Sequence, residues 1–325
     1  MSRSKGISTI WYSHGGGRFG NQMLRFAHLI AWVEEHRDRI EVINLAVWPY
    51  INLVDGYEAS HSGLYPPRRS WLDPLASITA VAPEKVGRGL FTVARERVLN
   101  AAGEAFRGKP IIRVPDSGPG VDLADPAFLE RCTRSGGAWL IGWKIASWDL
   151  VRKHGDAIRR HLAIRQSAAR PGYDLAAQSR EGSDMLIGVL CRQTDYRVYQ
   201  QGRFFLEQSQ TAAHLKSIAA MYPNRRVRFL ISGDEPISTN LFAGLDIIVS
   251  TGSQGMGGHF VESIAALSRC DLVVGPPSTF AAWAAFLGRV PYLPILPNRP
   301  PLQEHVLHDA LADAAADPEC SLAVM

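Results

Sequence analysis

The residues best suited to chemistry in this chain follow a short apolar run, Leu186 to Cys191, in the stretch LIGVLCRQTDYRVYQQGRFF: they are Arg192, Thr194 and Asp195. A run of this kind, ended abruptly by polar residues, predicts a buried strand and the loop that leaves it. In an open α/β sheet, ligands bind at the carboxyl ends of strands, so a guanidinium arriving there is placed to meet an anion. The plainer reading of the same residues is an Arg192–Asp195 ion pair in a surface loop. Three other segments point to the same kind of ligand.

The first is a predicted strand over 226–232 that ends in Gly233, Asp234 and Glu235, where a carboxylate can accept hydrogen bonds from a base or a ribose. Turn chemistry in SGDEP is the competing explanation. The second is a strand over 271–275 followed by Pro276, Pro277, Ser278 and Thr279 and then a helix pattern. Hydroxyls and N–H groups at such a helix start suit an anion, although simple N-capping by Ser278 and Thr279 explains them too. The third lies near the N-terminus, where a strand over 7–13 is followed by HGGGRFGNQ and an apolar helix pattern from Met23 to about His36. Strand, glycine loop and helix in that order turn backbone N–H groups toward a phosphate.

Gly15, Gly17 and Gly20 satisfy GxGxxG, which opens a rival reading as a dinucleotide-dependent oxidoreductase. That reading needs an acidic residue for the ribose at the end of the next apolar run, Ile40 to Val47. The middle of that run holds Asn44, and no carboxylate follows until Asp55. A lysine in GK[ST] form is also missing, which argues against a P-loop nucleotidase.

The elements that must position these residues divide the chain in two. Residues 55–74, rich in turn formers and aromatics, predict a long loop that either closes over an acceptor with Arg68 and Arg69 at its rim or is simply solvated. A basic amphipathic helix is expected over 83–105 and a short strand over 111–114. Residues 138–165 begin as a strand and continue as a helix, with Trp139, Trp143 and Trp148 assigned to packing. The polar segment 166–183 is the expected domain boundary. Beyond it the pattern is strand 186–191, helix 207–221, strands 226–232 and 246–250, helix 260–269, strand 271–275, helix 279–287 and strand 290–295, a parallel sheet covered by helices.

Composition narrows the function classes. A chain of 325 residues with 46% hydrophobic and 20% charged content can bury a sizeable core, and a formal net charge of +4 spread along the sequence fits an anionic small substrate better than nucleic acid. Zinc-finger, basic-zipper and aromatic RNA-binding signatures are lacking. The cysteines, Cys132, Cys191, Cys270 and Cys320, are widely spaced and read as reduced structural thiols. His305 and His308 lack a third ligand nearby, so no metal site is expected. Ser253, in TGSQGMGG, fits a mobile loop beside a donor cleft rather than a hydrolase nucleophile. Without an apolar leader or a run long enough to span a bilayer, the expected location is the cytoplasm, with peripheral contact to a membrane left open.

Four segments, in order, resemble the fucosyltransferase superfamily, and most of all the α-1,2-fucosyltransferases of glycosyltransferase family 11. GGRFGNQMLRFAHLIA resembles that family's opening GGRLGNQ motif, and GWKIASWDLVRKHGDAIRRHL is similar to the segment before its donor domain. GVLCRQTDY resembles the HxRRxD motif, and FLISGDEP with VESIAALSRCDLVVGPPSTFAAWAAFLG resembles the closing pair of donor-site motifs. The resemblance implies an α/β fold of two Rossmann-like domains in the GT-B architecture: residues 1–165 on the acceptor side and 166–325 for a nucleotide-sugar donor. It implies GDP-fucose as donor, a glycan acceptor, inversion at the anomeric carbon, and no metal or other cofactor. Arg192 would stabilise the leaving β-phosphate, with Asp195 or Glu262 as possible bases. Ser278, Thr279 and Phe280 would contact the pyrophosphate, and Asp234 or Glu235 would read ribose or guanine. Arg18 and Asn21, with Gly17, Gly20 and Gln22 around them, would lie near donor phosphates and acceptor. The sequence departs from the family pattern at Leu190 and Gln193, where His and a second Arg stand in the motif, and at Ser263 in place of an acidic residue. The loss of a guanidinium removes charge from a diphosphate site, so a protein that binds a nucleotide sugar or glycan without transferring it is the second alternative.

Overall fold

The computed structural model describes residues 6–13, 17–57, 62–74, 76–77, 109–115, 120–297, 300, 303–305 and 307. The helix expected over 83–105 lies outside the described residues, as do Gly15, part of the 55–74 loop, and His308. The chain divides into two compact units, Met1–Arg165 and Gln166–Met325.

In the first unit the order is β1 (Ser8–Tyr12), α1 (Phe19–Glu35), β2 (Ile40–Asn44), β3 (Leu64–Tyr65), β4 (Ile111–Val114), β5 (Val121–Asp122), α2 (Pro126–Thr133), β6 (Gly137–Gly142), β7 (Ile145–Ala146) and α3 (Trp148–Leu162). The main sheet runs β3-β2-β1-β6-β4, and only β3 is antiparallel to its neighbour. Because β1 continues to β2 on one side and has β6 on the other, its carboxyl end is a topological switch point. Helix α1 is buried along most of its length, from Phe19 and Met23 to Trp32 and Val33. It packs on α3, and the two are tied where the N–H of Ser147 donates to His28 Nδ1 at 3.1 Å.

Two elements differ from expectation. Helix α1 begins at Phe19 rather than Met23, since Gly20 and Asn21 are poor helix formers that the buried neighbours Phe19, Gln22 and Met23 carry into the first turn. The strand expected over 40–47 stops at Asn44, whose side-chain oxygen accepts the N–H of Ala46 at 3.0 Å and turns the chain into a 3-10 helix, Leu45–Leu53. An Asx turn of this kind offers the backbone a partner outside the sheet.

The second unit comprises α4 (Gln166–Arg180), β8 (Met185–Cys191), α5 (Gln208–Met221), β9 (Val227–Gly233), β10 (Asp246–Val249), α6 (Phe260–Leu267), β11 (Leu272–Gly275), α7 (Thr279–Gly288) and β12 (Tyr292–Pro294). Its sheet is wholly parallel, in the order β10-β9-β8-β11-β12. One face packs Ile187, Val189, Phe229, Ile231 and Val274 against Leu215 and Ile218 of α5. Each such side chain contributes about 1.5–3 kcal/mol on burial.

The polar segment 166–183 opens the second unit. Its first fifteen residues form α4, which lays the buried small residues Ala169, Gly172, Ala176 and Ser179 against α6. A Cβ on Gly172 would overlap the carbonyl oxygen of Glu262, so the helices meet at backbone distance. The alternating three- and four-residue spacing of those small residues was the sequence signal for a helix face.

Candidate functional site

In the second unit, β8 continues to β9 on one side and has β11 on the other, so the switch point lies between the carboxyl ends of β8 and β11. Those two ends carry Arg192 and the turn Pro276–Thr279. The sequence therefore delivers a guanidinium and a helix N-terminus to one crevice.

Arg192 is largely buried, its side chain 14% exposed. Its Nε and Nη2 donate to the two oxygens of Asp195 at 2.9 and 2.8 Å, and Nε also stands 3.3 Å from Asp234 Oδ2. The ion pair anticipated as the plainer reading is thus present. It leaves Nη1 without a protein acceptor among the described residues. Burial alone would lower the Arg192 pKa, but the hydrogen bond to Asp195 and the charge of Asp234 outweigh it, and the net shift is upward. Arg192 is a fixed cation.

Asp234 is engaged with the loop after β8. Its Oδ1 accepts the N–H of Gln193 at 2.7 Å, and its Oδ2 accepts the hydroxyl of Thr194 at 2.6 Å. The carboxylate at the end of β9 thereby clamps the first turn of the loop leaving β8. Glu235, beside it, pairs with Arg197 at the exposed surface, Nη2 to Oε2 at 2.8 Å, and that hydrogen bond holds its carboxyl below the usual range.

The departures from the family motif have structural partners. Leu190 is buried in β8 against Gly275 of β11, where a Cβ would crowd the Leu190 carbonyl. Gln193 is buried as well, and its side-chain amide donates to the carbonyl of Leu206 at 2.6 Å, pinning the far end of the loop. A charged guanidinium at that position would have to be placed against a backbone carbonyl inside the unit.

The turn at 276–279 is fixed by two tyrosines that sequence reasoning missed. Tyr292 in β12 donates its hydroxyl to the carbonyl of Pro276 at 2.7 Å and accepts the N–H of Ser278 at 3.0 Å. Tyr196, whose ring lies 5.5 Å from the Arg192 guanidinium, donates to the carbonyl of Pro277. Tyr196 therefore couples the loop after β8 to the turn after β11. No local pattern marks Tyr292, because its partners lie some fifteen residues upstream; Tyr196 could have been suspected from its place in the Arg192 loop.

The residues expected at the pyrophosphate, Ser278, Thr279 and Phe280, form the start of α7. Ser278 Oγ accepts the N–H of Phe280 at 3.2 Å as the N-cap of α7, and the Ser278 N–H is taken by Tyr292. Thr279, the first residue of α7, has no protein partner for its N–H among the described residues. The Thr279 N–H and Arg192 Nη1 are thus donors without a protein partner among the described residues, in the field of a helix N-terminus.

Glu262 caps its own helix. It accepts the Thr251 hydroxyl at 2.6 Å and the His259 N–H at 3.0 Å, a capping box for α6. Ser253, expected in a mobile loop, is buried, and its hydroxyl accepts the N–H of Gly233 at 3.2 Å. Ser263, in the acidic residue's place, shares a hydrogen bond with Ser250 at 2.9 Å. Among the described residues no cluster of His, Cys, Asp and Glu is arranged to hold a metal ion.

In the first unit, Arg18 is exposed at the N-cap position of α1, and its carbonyl accepts the N–H of Gln22 at 3.1 Å. Gly17 has φ +81° and lies so close to Asn21 that a Cβ would overlap that side chain. Gly20 and Gln22 are buried in the first turn. Arg25, unremarked in the sequence, stacks its guanidinium 4.4 Å above the Trp143 ring just past β6, and burial lowers its pKa. At the end of β2, where a dinucleotide-binding unit needs a carboxylate, the Asn44 side chain is engaged with Ala46.

No protein-family model and no curated protein matches this chain. Solved structures are similar to it at low identity. An Arabidopsis thaliana FUT1 mutant in complex with GDP is 12% identical, with a TM-score of 0.48 over 90% of this chain and 71% of that one. The fucosyltransferase NodZ from Bradyrhizobium is 14% identical, with a TM-score of 0.46 over 89% of this chain and 96% of its own. POFUT1 in complex with GDP is 13% identical, with a TM-score of 0.46 over 90% of this chain and 99% of its own.

Proposed function

We propose that this chain is an inverting glycosyltransferase that moves fucose from GDP-fucose to a sugar hydroxyl, of the α-1,2 type, without a metal ion and in the cytoplasm. The observation that carries the reading is the meeting of Arg192 and the start of α7 at one switch point, coupled by Tyr196. Glycosyl transfer needs charge on the departing diphosphate stabilised, and donors fixed before the reaction do this without reorganisation. Arg192 Nη1 and the Thr279 N–H are the groups assigned to that task. Two carboxylates face Arg192, so it acts as a directed donor rather than through a surplus of positive charge. Asp195, at 44% side-chain exposure the more open of the two, is assigned to take the acceptor proton. Asp234 positions the loop.

Calorimetric titration with GDP, GDP-fucose, UDP and NAD, on wild type and Arg192→Ala, tests the reading. GDP should bind and Arg192→Ala should weaken it by roughly 2 kcal/mol or more, the range for truncating a buried charged contact. Binding of UDP or NAD without GDP would sink the fucosyl assignment. Tight GDP-fucose binding with no transfer to any sugar acceptor would leave a binding protein. Among the described residues no helix is long and apolar enough to cross a membrane.

A further inference from the structure

The first unit has a switch point of its own, between the carboxyl ends of β1 and β6. The hydroxyl of Tyr12, the last residue of β1, donates to the carbonyl of Gly142, the last residue of β6, at 3.0 Å. Trp143 follows directly, and Arg25, in the second turn of α1, lays its guanidinium over that ring at 4.4 Å from the centroid. Tyr12 also acts electrostatically on Arg25, so the guanidinium lies close to these strand ends.

Arg25 has no counter-ion. Among the described residues no carboxylate pairs with it and no protein acceptor takes a hydrogen bond from its guanidinium. Its Nε is shielded from solvent without a partner, whereas the side chain as a whole is half-buried, so Nη1 and Nη2 form the edge that faces outward. Arg192 and Arg228, also shielded, face Asp195 and Asp246 respectively. Drawing a guanidinium out of water without an anion is costly. Stacking on an indole offsets part of that cost and fixes the plane of the donors.

His28 adds a second donor. It stands three residues further along α1, on the same side of the helix, and is fully buried. With Nδ1 accepting the Ser147 N–H at 3.1 Å, the ring proton is carried by Nε2, which has no partner among the described residues. Burial and the charge of Arg25 bring the His28 pKa down to about 3, so the ring is neutral near pH 7. The two residues together offer donors, no acceptor, and one positive charge. A monoanion matches that charge, whereas a phosphate dianion would be half compensated. The paired Nη1 and Nη2 suit the two coplanar oxygens of a carboxylate.

We propose that Arg25, held flat on Trp143, binds a carboxylate carried by the acceptor and thereby selects an acidic sugar. The proposal rests on the glycosyltransferase reading for the bearer of that carboxylate, a sugar acceptor. The site itself belongs to the first unit.

The test is calorimetric titration of the full chain with the methyl β-glycosides of D-galacturonic and D-glucuronic acid, each beside its neutral parent hexoside, and with inorganic phosphate. At least one uronide should bind tenfold or more tightly than its neutral parent and than phosphate. Arg25→Ala should weaken that uronide at least tenfold, and Arg25→Lys, which keeps the charge and loses the planar pair of donors, at least threefold. Seven of the eight tryptophans lie in the first unit, so near-ultraviolet circular dichroism reports whether it stays folded in each variant. If Arg25→Ala does not fold, Arg25→Lys carries the comparison. Neutral hexoside binding as tight as the uronide, phosphate binding as tight, no binding of either uronide, or uronide binding unaltered in the folded variants would overturn the proposal. GDP titration reads Arg192 separately, so failure of this site and failure of the donor-site reading are distinguishable.

Discussion

The hydroxyl of Tyr292 is shared between two backbone groups of one turn, accepting the Ser278 N–H at 3.0 Å and donating to the Pro276 carbonyl at 2.7 Å. Ser278 is buried, so without this hydroxyl its N–H would have no partner and no access to water. Tyr292→Phe keeps the ring and removes both bonds. It is expected to cost about 1–3 kcal/mol in denaturant unfolding, the penalty for stranding a buried polar group, and to weaken GDP binding by loosening the start of α7. Unchanged stability in urea titration would mean that another group satisfies the turn.

Asp195 and Asp234 both face Arg192 but are predicted to respond oppositely to loss of charge. Asp195→Asn removes a negative charge beside the diphosphate position, so GDP affinity should rise several-fold while fucosyl transfer falls. Asp234→Asn weakens the acceptors of the Gln193 N–H and the Thr194 hydroxyl, so the loop loosens and GDP affinity falls. Calorimetry on the two variants decides this, and a loss of affinity in Asp195→Asn would contradict the assigned arrangement.

The first unit should lose stability in mild acid. Burial pushes the His28 pKa down to about 3 and the His161 pKa down to about 4. An unfolded histidine titrates near 6.5, so below that pH the unfolded chain binds more protons than the folded one. Stability is therefore full above about pH 6.5 and declines toward pH 4, with each histidine contributing up to about 1.4 kcal/mol per pH unit. Carboxylates such as Glu35, held down to about 2 by hydrogen bonds from Lys153 and His154, act at lower pH. His161 lies edge-on to the rings of Tyr57 and Tyr65 at 4.6 and 4.5 Å, so Phe is a fair replacement. Thermal melts between pH 7 and 4 should show a shallower slope for His161→Phe, and an unaltered slope would remove this residue from the explanation.

Gly172→Ala tests the packing of α4 on α6. The added methyl meets the Glu262 carbonyl oxygen, which is backbone and cannot swing aside. Forcing a methyl into such a contact costs typically 1–3 kcal/mol, even though alanine is the better helix former by about 1 kcal/mol. A stabilised variant would show that the helices can separate freely.

How much of this could be read from the sequence depends on how local the cause was. The strands read at 186–191, 226–232 and 271–275 and the helix pattern between them reflect side-chain periodicity, so the parallel sheet and the position of Arg192 at a strand end were legible. The Arg192–Asp195 pair was legible for the same reason, since its partners are three residues apart. The end of β2 at Asn44 was misread because one side-chain hydrogen bond outweighs the apolar run around it. Helix α4 was misread because its buried face is made of small residues, which lower apparent hydrophobicity while permitting the closest approach.

What the tertiary structure alone decided is the pairing of groups far apart in the chain. Asp234 reads in sequence as a ligand contact or a turn residue, and only the adjacency of β8 and β9 turns it into the clamp of the Arg192 loop. Glu262 reads in sequence as a possible base, and the fold adds its hydrogen bonds from Thr251 and His259. Tyr196 and Tyr292 acquire their role because β8, β11 and β12 lie side by side. Local sequence sets which backbone conformations are favourable, whereas each polar group's partner is set by burial, which is a property of the whole packed unit.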